Sequence, residues 1–342
     1  MNKQILSLTA TRGFAAILVV VFHFGADFFP FSKLPAIFSN GNIAVSYFYV
    51  LSGFVLYISY AHSSLRYWTY FKKRLGRIAP VYIIALAFSV YKVPLTDDLV
   101  WQTSYSFFFL QAWIPKYALA LNTAGWSVSV ELFFYVLFPL LLLFQKKWTK
   151  LFACIAALIF LTTQVVFHAY FKNDFRLTDN YCFFMYNPVL HISQFLVGMI
   201  GGFLFSNIRF SKKLHPTIPL LLLFTILCGI AFRPAGLFFH AGLLAPLFVL
   251  LITAVALADP AFLRLRPLVF FGEISYGIYI LQFPVYNFMR ALNETDFHLS
   301  PQNFFWCSLV VLCAVAAITY YAVEKPVRKL ITRLSHADAA MA

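Results

Sequence analysis

Apolar stretches that are each long enough to cross a bilayer recur along this 342-residue chain and constrain its fold more than any other feature. A hydrocarbon core of ~30 Å needs about 20 apolar residues in an α-helix, and backbone in lipid must satisfy its hydrogen bonds internally. The alternating segments of about ten residues that are typical of transmembrane barrels are absent. We therefore predict an all-α, polytopic transmembrane helix bundle of about ten spans. The predicted spans are Leu6–Ala26, Ile43–Ala61, Leu75–Val93, Val130–Phe144, Leu151–Phe171, Pro188–Phe205, Pro216–Phe232, Leu237–Leu257, Leu268–Met289 and Phe304–Ala322.

The distribution of basic residues sets the predicted orientation of these spans. With ten spans and a cytoplasmic start, 18 of the 26 lysines and arginines fall in cytoplasmic loops, as the positive-inside rule favours. Counting the polar segment Leu99–Ile114 as an eleventh span would move Lys146, Lys147 and Lys150 outside, so we interpret it as re-entrant or interfacial. Both termini are then predicted to be cytoplasmic. The net charge of +14 follows mostly from topology and needs no nucleic-acid partner.

Composition indicates one integral-membrane domain over residues 1–342 with no appended soluble domain. Hydrophobic residues make up 62% and charged residues 11%, against about 25% charged in soluble proteins. No small-residue cleavage site follows the first apolar stretch, so we expect that stretch to be retained. The five cysteines form no C-x-x-C pair, and we predict neither a disulfide framework nor a metal site.

Arg12 and His23 lie eleven residues apart within the first span. Eleven residues return a helix to within roughly 20° of the same face, about 16 Å further along the axis. Ionisable residues at membrane depth are expensive and mark candidate functional sites. The alternative is that Arg12 reaches the headgroups and His23 lies near the far interface. Asp27 follows His23 by four residues, a spacing that fits either a partner of the imidazole or a loop acid.

Three further clusters could carry chemistry. Arg74 and Arg77 share a helical face at the cytoplasmic end of the third span, where arginines suit phosphate binding or simple anchoring. With Arg12 near the same leaflet, they could form a pocket for a phosphorylated ligand. The second cluster comprises Trp126, Ser127, Glu131 and Tyr135. Ser127 resembles an N-cap with an acidic residue in the first turn, whereas Trp126, Glu131 and Tyr135 are expected to face His23. The third is a polar stripe for helix packing or ligand binding, comprising Ser275, Tyr279 and Gln282 with the adjacent Tyr276.

Six motifs in order resemble those of acyltransferase family three, bacterial inner-membrane enzymes that O-acylate surface polysaccharides and related acceptors. The resemblance covers nearly the whole chain. The motifs are Arg12…His23, Phe48-Tyr-Val-Leu-Ser-Gly-Phe54, Arg74-x-x-Arg77-x-x-Pro80, Trp126-Ser-x-Ser-x-Glu131-x-x-Phe-Tyr135, Ser275-Tyr276-x-x-Tyr279 and Glu324-Lys-Pro326.

The resemblance implies a multi-pass protein of the cell inner membrane that uses cytosolic acyl-CoA, most often acetyl-CoA, as donor and needs no metal. It implies that His23 is catalytic and that Arg12, Arg74 and Arg77 bind the CoA phosphates. The acceptor would be a glycan or glycolipid that contacts Trp126 and Glu131. Further candidates are Glu131, Ser275 and Tyr276 in catalysis, and Ser127, Tyr135, Tyr279 and Gln282 in substrate binding.

Two departures from the family pattern concern the site. The family often has His where Gln282 stands, so a second catalytic histidine is not expected here. His191 and Gln194 replace an Arg and a Glu in the sixth span, which could alter the acceptor site.

A transporter or flippase of a lipid-linked glycan or an organic anion is the main alternative, because ten spans with a polar interior would suit it too. Consumption of acyl-CoA separates the two functions, since a transporter releases no thiol. A structural assembly partner would explain none of the aligned polar residues.

Overall fold

A computed structural model describes residues 5–63, 65–91, 93–171, 179–207, 214–232 and 239–340, and its regular elements there are all helices. The predicted all-α class is confirmed. The α-helices are α1 (Leu6–Phe24), α2 (Pro35–Phe38), α3 (Ile43–Tyr60), α4 (Tyr67–Val90), α5 (Asp97–Phe107), α6 (Gly125–Lys147), α7 (Thr149–Phe171), α8 (Asp179–Tyr186), α9 (Ile192–Asn207), α10 (Thr217–Ala231), α11 (Ala245–Ala258), α12 (Arg266–Glu273), α13 (Ser275–Leu292), α14 (Pro301–Thr319) and α15 (Lys325–Ala340).

Six helical segments in these described ranges are long and apolar enough to cross a membrane, or seven if α12 and α13, bent by 56°, form one span. The helices α10 and α11 are apolar but shorter, with 15 and 14 residues. The 24-residue α4 is not among the six, because its N-terminal half is strongly basic. A polytopic helical membrane protein is therefore supported, and the count of ten and the side of the termini stay predictions.

Some of the basic residues used to predict the orientation lie outside the described ranges. They are Lys3, Lys92, Lys172, Arg176, Arg209, Lys212, Lys213 and Arg233.

Close helix contacts through glycine hold α3 against α9. A Cβ atom on Gly53 would lie 2.2 Å from the carbonyl oxygen of Phe195, and one on Gly198 would lie 2.1 Å from that of Val50. Small residues that let helix backbones approach are the usual means of packing helices in lipid. The contact fixes α3, which carries Phe48, beside the centre of the bundle.

The polar segment Leu99–Ile114 does not form a span. Its helix α5 has 11 residues and is therefore about 16 Å long at 1.5 Å per residue, half of the hydrocarbon thickness. After α5, the buried Gln111 donates to the hydroxyl of Tyr82 at 2.9 Å and to the carbonyl of Gly125 at 2.8 Å. Near the start of α5, a hydrogen bond from Lys116 at 2.8 Å holds the pKa of the Asp98 carboxyl below its usual value.

The start of α6 differs from the prediction. The helix begins at Gly125, with Ala124 in the N-cap position, so Ser127 lies inside the first turn. The Ser127 hydroxyl donates back to the carbonyl of Ala124 at 3.0 Å instead of accepting from a helical N–H. The N-cap prediction for Ser127 is wrong, and Glu131 lies in the second turn of α6 and not in the first.

Candidate functional site

A cavity of about 820 Å³ opens between α1, α3, α4, α6, α13 and α15. Its lining is unusually charged for a helical bundle, with seven basic and three acidic side chains. The charged residues are Arg12, Arg74, Arg77, Lys325, Arg328, Lys329, Arg333, Glu131, Glu273 and Glu324. Such a volume is within the range of about 300–1,000 Å³ that is typical of small-molecule sites.

The three arginines singled out in the sequence meet in this cavity. Arg12 comes from α1, and Arg74 and Arg77 come from consecutive turns of α4. The Nε atom of Arg74 is buried without a hydrogen-bond partner among the described residues. A buried donor without a partner is costly, and an anion in the cavity would satisfy it.

Glu131 and Tyr135 of α6 also line the cavity, on the side of the arginines. The Tyr135 hydroxyl donates to the Glu131 carboxylate, and Glu131 interacts electrostatically with both Arg12 and Arg77. The expectation that Glu131 and Tyr135 face His23 is therefore wrong. Because a helix rises 1.5 Å per residue, these side chains lie about 8 and 14 Å along α6 from Trp126.

The polar stripe of α13 extends from the cavity to His23. Ser275 donates to the carbonyl of Gly272 at 2.7 Å and Tyr276 donates to that of Ile78 at 2.7 Å, so both hydroxyls have backbone partners. Tyr279 lies one turn further in and contacts the Phe48 ring, with a centroid separation of 6.0 Å. Tyr279 and Phe48 both line the cavity, and the part of the lining that they form, one turn of α13 before Gln282, is called its inner end.

His23 lies beyond this inner end and does not line the cavity. Its Nδ1 atom is 2.8 Å from Oε1 of Gln282. Phenylalanine rings surround the imidazole at centroid distances of 5.0, 5.9 and 4.9 Å, and they belong to Phe22, Phe24 and Phe283. Asp27 is exposed, and the imidazole has the Gln282 amide as its partner.

The Gln282 amide defines the tautomer of His23. Its NH₂ group donates to the carbonyl of Tyr279 at 2.7 Å, which directs the amide oxygen towards the imidazole. An amide oxygen only accepts, so Nδ1 of His23 carries the proton and Nε2 keeps a free lone pair. Sequence analysis placed Gln282 in the polar stripe but missed this pairing.

Trp126, predicted to contact the acceptor, is 6% exposed and lies outside the cavity lining. Its ring packs against His191 at 5.3 Å and His240 at 5.5 Å. Both imidazoles donate through Nε2 to the carbonyl of Met185, at 2.9 and 3.0 Å. These bonds give both imidazoles a backbone partner beneath the Trp126 ring. Within the described ranges, no group of three or more His, Cys, Asp or Glu side chains is placed to hold a metal ion.

Fold and site together define a polytopic helical membrane protein in which α1 places Arg12 in a positively charged cavity and carries the half-buried His23 eleven residues further on. Residues 5–323 match acyltransferase family three, described as an acyltransferase domain. The chain belongs to this family and is an acyltransferase.

Named relatives agree with this assignment. The chain is 28% identical to the acyltransferase MdmB of Streptomyces mycarofaciens over 96% of this chain and 92% of that protein. It is 24% identical to the O-acetyltransferase OatA of Staphylococcus aureus over 94% of this chain, and there it spans only 57% of the relative. No solved structure gives a significant match.

Proposed function

We propose that this protein transfers an acyl group from cytosolic acyl-CoA to a hydroxyl of a cell-surface glycan or its lipid-linked precursor in the cell inner membrane. The observation that carries the proposal is the meeting of Arg12, Arg74 and Arg77 in a cavity whose lining also includes Tyr279, one turn of α13 before Gln282, the hydrogen-bond partner of His23. Acetyl-CoA is the expected donor, because one named relative is an O-acetyltransferase.

The donor binds through its phosphates at the charged end of the cavity. Arginine forms bidentate, charge-assisted bonds with phosphate oxygens, and Arg74 offers a buried donor that needs a partner. Glu131 and Glu324 interact with Arg12 and Arg77 and so limit the positive charge of the empty cavity. The acyl thioester then points along α1 to the inner end of the cavity.

His23 acts on the acceptor hydroxyl from the opposite side. With Nδ1 bonded to Gln282, its Nε2 lone pair can take the hydroxyl proton as a general base. The same lone pair could attack the thioester, so direct transfer and an acyl-histidine relay both fit the arrangement. Tyr279, one turn before Gln282 on α13 and hydrogen-bonded to the side chain of Ser127, is the candidate donor to the developing oxyanion. Ser275 and Tyr276 would have to leave their backbone partners to take that role.

The test is a thiol-release assay on the protein in nanodiscs with acetyl-CoA and a crude cell-envelope glycan fraction. We expect wild-type protein to release CoA and His23→Ala to lose at least about 100-fold in rate, the lower range for loss of a general base. A matched control is His215→Ala, because His215 is exposed and outside the cavity. Near-native turnover by His23→Ala would show that His23 is not the base. Binding of acyl-CoA without any thiol release would favour the transporter.

A further inference from the structure

The last described helix, α15, forms one side of the cavity mouth. Its basic side chains recur at helical spacing, so they share a face, and all of them line the cavity. They are Lys325, Arg328, Lys329 and Arg333. The match to the acyltransferase family ends at residue 323, and of this basic face only Lys325 falls in the resembling motif Glu324-Lys-Pro326.

Packing against α4 fixes which face of α15 the cavity receives. A Cβ atom on Gly76 would lie 1.9 Å from Cδ1 of Ile331 and 3.8 Å from Cγ1 of Val327. The absence of a side chain at Gly76 therefore lets the apolar side of α15 rest on α4, the helix that also carries Arg74 and Arg77. The basic side of α15 is left facing the mouth, opposite those arginines.

The cations of α15 are not all neutralised by the carboxylates nearby. Arg328 pairs with the buried Glu324 at 3.4 Å. Lys329 and Arg333 are exposed and line the mouth further out. Seven basic against three acidic lining residues leave the whole cavity with an excess of positive charge. A ligand that carries phosphate groups at two separated positions would satisfy both the inner arginines and this outer group.

We propose that Lys329 and Arg333 of α15 bind the outermost phosphate of the donor, the 3′-phosphate on the ribose of CoA. This inference rests on the proposed function, in which the inner arginines hold the remaining phosphates. Anionic lipid headgroups offer the same chemistry, and the exposed Leu330 and Leu334 would suit a helix at a membrane surface. The ligand in the cavity is favoured because both cations line the same space as Arg74 and Arg77.

The test compares binding of CoA with binding of 3′-dephospho-CoA, using calorimetry in nanodiscs of neutral phosphatidylcholine. For the double variant Lys329→Ala, Arg333→Ala we expect CoA to bind about tenfold more weakly, the scale of a lost charge-assisted bond. Affinity for 3′-dephospho-CoA should stay within about twofold of wild type, since that ligand lacks the group the two cations hold. The matched control is Lys146→Ala, Lys147→Ala, which removes the same charge from the exposed end of α6, outside the cavity.

Each contrary result has a distinct meaning. Unchanged CoA affinity, or an equal loss for CoA and 3′-dephospho-CoA, would overturn the assignment of the 3′-phosphate to α15. A loss that arises only in nanodiscs with anionic lipid would assign the two cations to lipid headgroups. If wild-type protein neither binds CoA nor releases thiol, the proposed function itself fails. If wild type does both and the variant binds equally well, only the role of α15 fails.

Discussion

The two ends of α1 place their key side chains in opposite surroundings. Arg12 lies in a roomy cavity with six other basic and three acidic side chains. His23 lies among phenylalanine rings, with the Gln282 amide as its polar partner. A wide, charged space suits a flexible polyanion, whereas a tight aromatic shell suits a group that must keep one orientation and one tautomer.

On the proposed function, donor binding and chemistry are separated along α1. About 16 Å of helix axis lies between residues 12 and 23 at 1.5 Å per residue. Tyr279, which contacts Phe48 in the cavity lining, lies one turn of α13 before Gln282, the partner of His23. Substitutions in the charged region should therefore change donor affinity, and substitutions around His23 should change turnover. In the proposed reaction, a thioester bound in the cavity passes this aromatic contact on its way to His23.

The largest effect, on stability, is expected for a substitution at the contact between α3 and α9. This contact holds α3, which supplies Phe48 to the boundary between the charged region around Arg12 and the aromatic region around His23. In Gly53→Ala the new Cβ would lie 2.2 Å from the Phe195 carbonyl, a backbone atom that cannot move aside. We expect a loss of about 3 kcal/mol or more of stability, the upper range for overpacking. The measurement is the midpoint of thermal unfolding in detergent.

The matched control for this substitution is Gly229→Ala, because a Cβ at Gly229 would meet nothing within 4 Å. It should unfold at the wild-type temperature or slightly above, since alanine favours helix. If Gly53→Ala and Gly229→Ala unfold at the same temperature, the close packing of α3 on α9 does not stabilise the position of α3 and its Phe48.

Turnover should respond most to the partner of His23. Gln282→Leu removes the oxygen that accepts from Nδ1 and leaves the tautomer unspecified. We expect kcat to fall about 100-fold, within the range for disturbed general base catalysis, while KM for acyl-CoA stays close to wild type. Steady-state thiol release gives both constants.

Gln282→Glu separates positioning from packing, because its carboxylate can still accept from Nδ1. It should recover most of the rate that Gln282→Leu loses. Equal losses in both variants would indicate that residue 282 acts only through packing, and a changed KM would place it in the donor site.

The sequence alone was sufficient where helical spacing and membrane topology decide which side chains meet. Arg74 and Arg77 are three residues apart near the start of α4, and Arg12 is near the start of α1, so a common leaflet brings them together. The structure places all three in one cavity. The polytopic all-α class followed from apolar runs for the same reason.

The sequence was insufficient where the rotation or the depth of a helix decides which side chains meet. His23 and Gln282 are 259 residues apart, and nothing local states which face of α13 meets α1. The expected position of Glu131 beside His23 is wrong because α6 begins at Gly125, and depth along a helix depends on where the helix begins. The basic face of α15 reaches the cavity only because Gly76 admits Ile331, a packing detail that charge patterns do not contain.

A smaller effect, on the KM for acyl-CoA and not on kcat, is expected for a substitution in the charged region of the cavity. Arg77→Ala removes a guanidinium from the donor cavity and should raise KM for acyl-CoA about tenfold, the scale of one lost charge-assisted bond. The kcat value should stay within about twofold of wild type, because Arg77 and His23 lie on opposite sides of the contact between Phe48 and Tyr279.

The matched control is Lys147→Ala, which removes a cation outside the cavity and should change neither constant. An unchanged KM in Arg77→Ala would exclude that residue from the donor site, and a fall in kcat alone would contradict the separation of binding from chemistry.

The smallest effect, on the choice between acyl donors, is expected for a substitution at the contact between Phe48 and Tyr279. Phe48→Leu shortens the side chain that contacts Tyr279 and should enlarge the inner end of the cavity, where the acyl group would lie. One methylene in an apolar pocket changes selectivity by about tenfold or more, and we expect a partial effect of about fivefold in favour of butyryl-CoA over acetyl-CoA. The ratio of kcat/KM for the two donors measures it. Phe88→Leu, at an exposed position of α4 outside the cavity, should leave the ratio unchanged. If Phe48→Leu also leaves it unchanged, the acyl group does not pass this contact, and the thioester must approach His23 by another route.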